Sequence, residues 1–338
     1  MNILINSYCN LNCPYCFAND TMSKQEVQNM SVEDFQFVMD WSKRMNQRTL
    51  RIIGGEPTIC PNFKRFLDMG VEDPFFTDIL IFTNLTFDKK IATIIADAGR
   101  KKPVSLLPNI NEFNLLIPKH RLNILYNLDF LSQNLSTFGE LGINIYRPDM
   151  DLSQWEAIIE RFPNIKVLRY SIAIPNNESI NAQYTFYEYY HQFQDILLEL
   201  ARMAAKHHLE ILCDCNNLPI CCFDDDAIRE MLLLGGYSLF GVNFGSGPLG
   251  NEFCAFPVID IRPDLSIASC FGLNPENKVY LSDFEELDDV IDWCYRVNDV
   301  SNYVAREECL TCPRYLKNGI SCACRSWHTI NKGDIKHD

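Results

Sequence analysis

Cys9-Asn10-Leu11-Asn12-Cys13-Pro14-Tyr15-Cys16 places three thiols in C-x3-C-x2-C spacing, directly after the apolar run Ile3-Leu4-Ile5. Thiols this close, at the exit of a predicted strand, can converge on one site when the loop curls round it, and thiolates are the ligands of iron–sulfur clusters. A [4Fe–4S] cluster held by three cysteines leaves one iron open to an outside molecule. Zinc is the competing reading. It favours C-x2-C pairs that meet a second pair or two histidines, and neither residue type follows Cys16 before Cys60. Disulfides would need an oxidising compartment. The opening residues Met1 to Asn6 lack the basic region and longer apolar core of a secretory signal, so a cytoplasmic setting is expected.

Such a loop needs a scaffold, and the first 212 residues alternate β-type runs with helical patterns in the way that builds a parallel sheet. Strands are predicted at Ile3–Ile5, Thr49–Ile53, Ile79–Phe82, Leu122–Tyr126, Ile143–Tyr146 and Val167–Ile172. The clearest helix starts at the N-cap Ser31, has Glu33 and Asp34 in its first turn, and repeats Phe35, Val38, Met39 and Trp41/Ser42 at near-helical spacing. Further helices are predicted near 61–69, 88–99, 130–140 and 152–162, and a long one near 184–207.

Ligands of such sheets gather at the strands' C-terminal ends, where the cysteine loop lies. Gly54-Gly55-Glu56-Pro57 lies at another, although alone it would be only a strand-end turn. Thr83 and Asn84 follow the third predicted strand, Asn127 and Asp129 the fourth, and Arg147 the fifth. A plainer reading makes Thr83-Asn84 a turn signal and Asn127 or Asp129 a helix cap. An unpaired arginine at Arg147 would suit a carboxylate, since its planar fork binds both oxygens.

At 338 residues the chain can form one large domain plus a small one, or two domains. No apolar run approaches the roughly 18 residues of a membrane span, so no membrane partner is expected. The net charge of −14 disfavours a nucleic-acid partner. Fifteen cysteines in a reducing compartment call for metal. Three lie at the start, Cys60 stands alone and eleven fall between Cys213 and Cys324, which divides the chain into 1–212 and 213–338.

In the second part, Cys254 and Cys270 flank a predicted hairpin, Phe256–Arg262, a turn at Pro263-Asp264, and Leu265–Ser269. With the C-x2-C pair Cys309 and Cys312 they could furnish four ligands to a closed cluster, and zinc suits four thiolates equally well.

With Tyr15 before the last cysteine of the loop and Phe17 after it, the loop resembles the signature of the radical S-adenosylmethionine (radical SAM) enzymes. GGEP, one helix later, resembles the element that in this family binds the amino group of SAM's methionine. The resemblance is carried by residues 1 to 60. It implies an α/β fold, a partial (β/α)6 TIM-type barrel with a small C-terminal auxiliary-cluster domain of a β-hairpin plus helix and loops. It also implies a SAM-binding [4Fe–4S] cluster on Cys9, Cys13 and Cys16, with SAM contacts drawn from Tyr15, Phe17, Gly54, Gly55, Glu56, Pro57, Thr83, Asn84, Asn127, Asp129 and Arg147.

The tail resembles the twitch auxiliary domain of the same family, a shortened relative of its SPASM domain. This implies one auxiliary [4Fe–4S] cluster on Cys254, Cys270, Cys309 and Cys312. A full SPASM domain continues C-x2-C-x5-C-x3-C, whereas here only Cys322 and Cys324 follow Cys312. A second auxiliary cluster would have to draw on Cys221, Cys322 and Cys324, whose other reading is buried, inert thiols.

The resemblance implies reductive cleavage of SAM, hydrogen abstraction from substrate and a net oxidation: a cross-link, a thioether or a dehydrogenation. The expected substrate is a ribosomally made precursor peptide, and the expected partner an external one-electron donor of flavodoxin or ferredoxin type. Because the cysteine loop begins at residue 9, capture of the peptide is expected to need a separate recognition protein or the barrel itself. Two other readings stand beside this one: dehydrogenation of a small molecule such as an amino sugar or amino acid derivative, and a non-catalytic iron–sulfur or zinc scaffold. No general base can be assigned from the sequence.

Overall fold

The computed structural model describes residues 1–16, 28–173, 192–215, 223–234, 259–268, 278–297 and 311. The barrel strands are β1 (Asn2–Leu4), β2 (Thr49–Ile53), β3 (Asp78–Thr83), β4 (Val104–Pro108), β5 (Glu140–Ile145), β6 (Val167–Ile172) and β7 (Glu210–Cys215). Between and after them come α1 (Val32–Arg44), α2 (Phe63–Glu72), α3 (Lys89–Gly99), α4 (Pro118–Asn134), α5 (Ser153–Arg161), α6 (Phe193–Lys206) and α7 (Asp225–Leu233). A hairpin, β8 (Asp260–Ile261) and β9 (Ser266–Ala268), is followed by β10 (Val279–Tyr280) and α8 (Leu287–Val297).

The strands form two sheets, ordered β10-β9-β8-β1-β2-β3-β4 and β5-β6-β7. Neighbours from β8 to β4 and from β5 to β7 are all parallel, as α/β crossovers require. The sheets meet at a parallel bridge between Asn109 and Gly142, where Ile110 N–H donates to the Gly142 carbonyl at 3.2 Å. Glycine is needed there, because a Cβ on residue 142 would lie 2.3 Å from Asn109 Oδ1. The result is an α/β fold with a mostly parallel sheet, built as a partial barrel.

Local chemistry explains the elements. Ser31 Oγ accepts from Asp34 N–H at 3.0 Å and starts α1, and Asp88 caps α3 in the same way. Alternate residues of β2, β3 and β6 are buried: Leu50 and Ile52, Ile79, Ile81 and Thr83, Leu168, Tyr170 and Ile172. Phe35 of α1 stacks on Phe66 of α2 with centroids 4.2 Å apart, closing the helical layer over β1 and β2.

One predicted strand is wrong. Leu122–Tyr126 lies inside α4, and the fourth strand is Val104–Pro108. A five-residue apolar run has no period of its own. Pro118 at the first helical position and buried Ile124, Leu128 and Leu131 on one side make it a helix. The true strand was hidden between the basic run Arg100-Lys101-Lys102 and two prolines, which are tolerated because β4 is the edge of its sheet. The helix expected near 130–140 is the end of α4, and β5 starts at Glu140 rather than Ile143. Of the long helix expected from 184, Phe193–Lys206 is described, and 174–191 lie outside the described residues.

The predicted hairpin is present, but β8 pairs parallel with β1 through Asn2↔Asp260 and Ile3↔Ile261, so it extends the barrel's own sheet. The line at 212/213 falls inside β7, which is paired with β6. Among the described residues no helix is long and apolar enough to cross a membrane.

Candidate functional site

The exit of β1 is fastened to the exit of β2 by Asn6, which is fully buried. Its Nδ2 donates to the carbonyls of Tyr8 at 2.9 Å and Glu56 at 3.0 Å, while Gly55 N–H donates to Asn6 O and Glu56 N–H to Tyr8 O. Both glycines of GGEP are explained by this contact. A Cβ on Gly54 would sit 2.0 Å from Asn6 Oδ1, and one on Gly55 would sit 2.2 Å from the Tyr8 carbonyl oxygen and 2.9 Å from Cys9 N. The GGEP turn is thus pressed against the start of the cysteine loop, backbone on backbone.

Glu56 turns its carboxylate inward. Oε1 accepts from Thr58 N–H, Thr58 Oγ1 and Thr83 Oγ1, and Oε2 accepts from Asn84 N–H at 2.8 Å. Burial pushes this carboxyl above its ordinary range, while the four donors hold it back. It also caps the short 3-10 turn Pro57–Ile59, which Pro57 opens. Thr83 and Asn84, both predicted for the site, therefore meet GGEP from the end of β3. Asn84 goes further, with Nδ2 3.0 Å from Asn10 Oδ1 and 3.7 Å from Cys9 Sγ. Leu11 N–H lies 3.4 Å from the same sulfur.

A second group of side chains converges from the cysteine loop and from the ends of β4 and β5. Asn111, three residues past β4, donates from Nδ2 to Cys13 Sγ at 3.0 Å and accepts from the Tyr15 hydroxyl on Oδ1. Tyr15 is buried and stacks on Tyr146 with centroids 4.7 Å apart. The Tyr146 hydroxyl donates to Glu112 Oε2, and Arg147 donates to Glu112 Oε1 at 2.6 Å and to Asp149 Oδ1 at 2.8 Å. Arg147 does lie at the barrel mouth, but it is doubly paired rather than free. Burial pushes the Tyr146 phenol up to about 12, and its hydrogen bond to Glu112 adds to this.

Asn127 and Asp129 do not follow a strand; both sit within α4. Asn127 is fully buried and donates to the carbonyls of Leu85 and Phe87 at 2.8 Å, which pins the turn after β3, while Asp129 is exposed. Phe17 and Cys221, Cys254, Cys270, Cys309, Cys312, Cys322 and Cys324 lie outside the described residues. Asn6, Asn111 and Glu112 were missed. The only signal for the last two was the polar Asn-Glu pair closing an apolar stretch, which misplacing the fourth strand concealed.

The three loop thiols are half-buried. Burial pushes Cys9 up to about 12 and Cys13 up to about 11, so in the protein alone they stay protonated, and binding metal would release their protons. Among the described residues the one trio of ligand atoms lying within 4.8 Å of one another is Glu156, Glu160 and His207. Three half-buried thiols on one loop, approached by N–H donors of Leu11, Asn84 and Asn111, fit a multi-iron group.

Residues 3–170 match the family model of the radical SAM superfamily. The chain carries a radical SAM domain. That family implies a [4Fe–4S] cluster and SAM. The chain is 26% identical over 112 residues to a GTP 3',8-cyclase of Desulforamulus reducens, and 28% identical over 107 residues to one of Ectopseudomonas mendocina. These matches cover 33% and 31% of this chain and span about a third of the curated relatives, 34% and 32%. The fold is similar to that of Streptococcus suis SuiB bound to S-adenosylmethionine, at 16% identity and a TM-score of 0.60, covering 94% of this chain and 72% of that one. SuiB bound to its precursor peptide SuiA gives 17% identity and 0.59, covering 94% and 70%.

Proposed function

We propose that this chain is a radical SAM oxidoreductase in which Cys9, Cys13 and Cys16 hold a [4Fe–4S] cluster and the surrounding strand ends bind SAM. The observation that carries the reading is the cysteine loop held against the GGEP turn at the C-terminal ends of β1 and β2. When bound and reduced, the cluster and SAM together supply a 5′-deoxyadenosyl radical that takes a hydrogen atom from an unactivated C–H bond.

The chain's own residues position this chemistry. Asn6 and the two glycines fix the loop to the GGEP turn, and Glu56 ties that turn to β3 through Thr83 and Asn84. Tyr15 and Tyr146 stack beside the loop on the β5 side. Gly54, Gly55, Glu56, Pro57, Thr83, Asn84 and Arg147, with Tyr15 and Phe17 beside the thiols, are the residues we assign to SAM. Cys254, Cys270, Cys309 and Cys312 are assigned to one auxiliary [4Fe–4S] cluster, which would supply an acceptor for the electron left on the product radical. Cys221, Cys322 and Cys324 are the reserve ligands for a second.

The substrate we favour is a ribosomally made peptide, which the likeness to SuiB, solved with its precursor peptide, supports. The sequence likeness to GTP 3',8-cyclases favours a small molecule as the second reading. Anaerobic reconstitution tests the core: about eight irons per chain with matching sulfide fit one auxiliary cluster, and about twelve fit two. SAM with a reductant should then release 5′-deoxyadenosine, and a Cys13→Ala protein that released it at the parental rate would sink the assignment.

A further inference from the structure

Two side chains from two segments form a hydrogen-bond relay that ends on a loop sulfur. Tyr15 donates to Asn111 Oδ1, and Asn111 Nδ2 donates to Cys13 Sγ at 3.0 Å. Both bonds point their donors toward the sulfur, so the first polarises the second.

Gln154 Nε2 donates to the Asn111 backbone carbonyl at 2.9 Å, and with Oδ1 on the Tyr15 hydroxyl the side-chain nitrogen faces Cys13. At Cys9 Sγ the donors stand farther off, Leu11 N–H at 3.4 Å and the Asn84 amide at 3.7 Å.

We propose that Asn111 is a positioning residue that sets the reduction potential of the cluster held by the loop, with Tyr15 aligning its amide. Reduction adds negative charge to the cluster and its thiolates, and an N–H aimed at a ligand sulfur stabilises the reduced form and raises the potential. The inference rests on the assignment of Cys9, Cys13 and Cys16 as cluster ligands.

The test is an EPR-monitored redox titration of reconstituted full-length protein, with iron and sulfide counted on the same samples. Asn111→Leu keeps the side-chain shape and removes the donor. It should take up its full iron load and favour the oxidised cluster five- to tenfold, about 40 to 60 mV lower at 59 mV per decade for one electron. Tyr15→Phe keeps the ring and its stack on Tyr146 while freeing the amide, and should shift the equilibrium two- to threefold in the same direction. Full load with an unchanged potential in Asn111→Leu overturns the proposal. If Asn111→Leu does not load, an unchanged potential in loaded Tyr15→Phe overturns it. Parental protein that binds no cluster would overturn the ligand assignment itself.

Discussion

The first strand is tied down at both ends by an asparagine, and the two ends differ in what that asparagine serves. At the start of β1, Asn2 Nδ2 donates to Asp260 Oδ1 at 2.7 Å and fastens the C-terminal hairpin to the barrel. At the exit, Asn6 bonds backbone carbonyls and fastens GGEP to the cysteine loop. Each end also buries an acid, Asp260 at 3% exposure and Glu56 at 1%. Glu56 collects four donors from three residues, whereas Asn2 is the side chain that bonds Asp260. Burial pushes the Asp260 carboxyl up to about 7, against the pull of Asn2, the Met1 ammonium and Arg262. A buried acid that knits three strand ends together belongs to the site, and one held by a single amide is a packing element with a pH-dependent cost.

Breaking the exit end should cost most. Glu56→Ala would leave buried donors of Thr58, Thr83 and Asn84 unanswered, and a loss of about 3–5 kcal/mol is expected in anaerobic urea unfolding. A loss below 1 kcal/mol would mean that the network is not what holds the turn.

The pH profile separates the two acids next. Asp260 binds its proton more tightly in the folded chain than in the unfolded one. Its contribution is therefore full below about pH 4 and is lost as pH rises through about 7, on the order of 2–4 kcal/mol. Asp260→Asn keeps an acceptor for Asn2 and should flatten that slope in thermal unfolding from pH 5 to pH 8. An unchanged slope would remove Asp260 as its source.

Gly55→Ala probes the contact between turn and loop. The new Cβ meets backbone rather than a movable side chain, so roughly 1–3 kcal/mol of overpacking is expected, with reduced iron uptake because Cys9 must shift. Normal iron uptake would show that the loop tolerates the displacement. The smallest effect should come from Asn2→Ala, about 1–2 kcal/mol in unfolding with the iron load unchanged, since it acts at the far end of β1.

Much of the site was legible because its signals are local. Three thiols within eight residues, a Gly-Gly turn after an apolar run, and Thr83-Asn84 after another all stand where the structure puts strand ends. What escaped was whatever depended on the fourth strand. Once Leu122–Tyr126 was read as β, Asn127 and Asp129 took the place that belongs to Asn111 and Glu112. A short apolar run between prolines carries too little periodicity to separate strand from helix.

By itself, the sequence determined the cysteine loop, GGEP, the β/α alternation and the hairpin, because each is written in contiguous residues whose spacing matches one local geometry. Only the tertiary structure decided that Asn6 explains both glycines, that Glu56 faces inward onto Thr83 and Asn84, and that Asn111 reaches Cys13. Those contacts join residues from about 30 to 100 positions apart, and hydrogen bonds between such partners follow from where the parallel strands end rather than from any period along the chain.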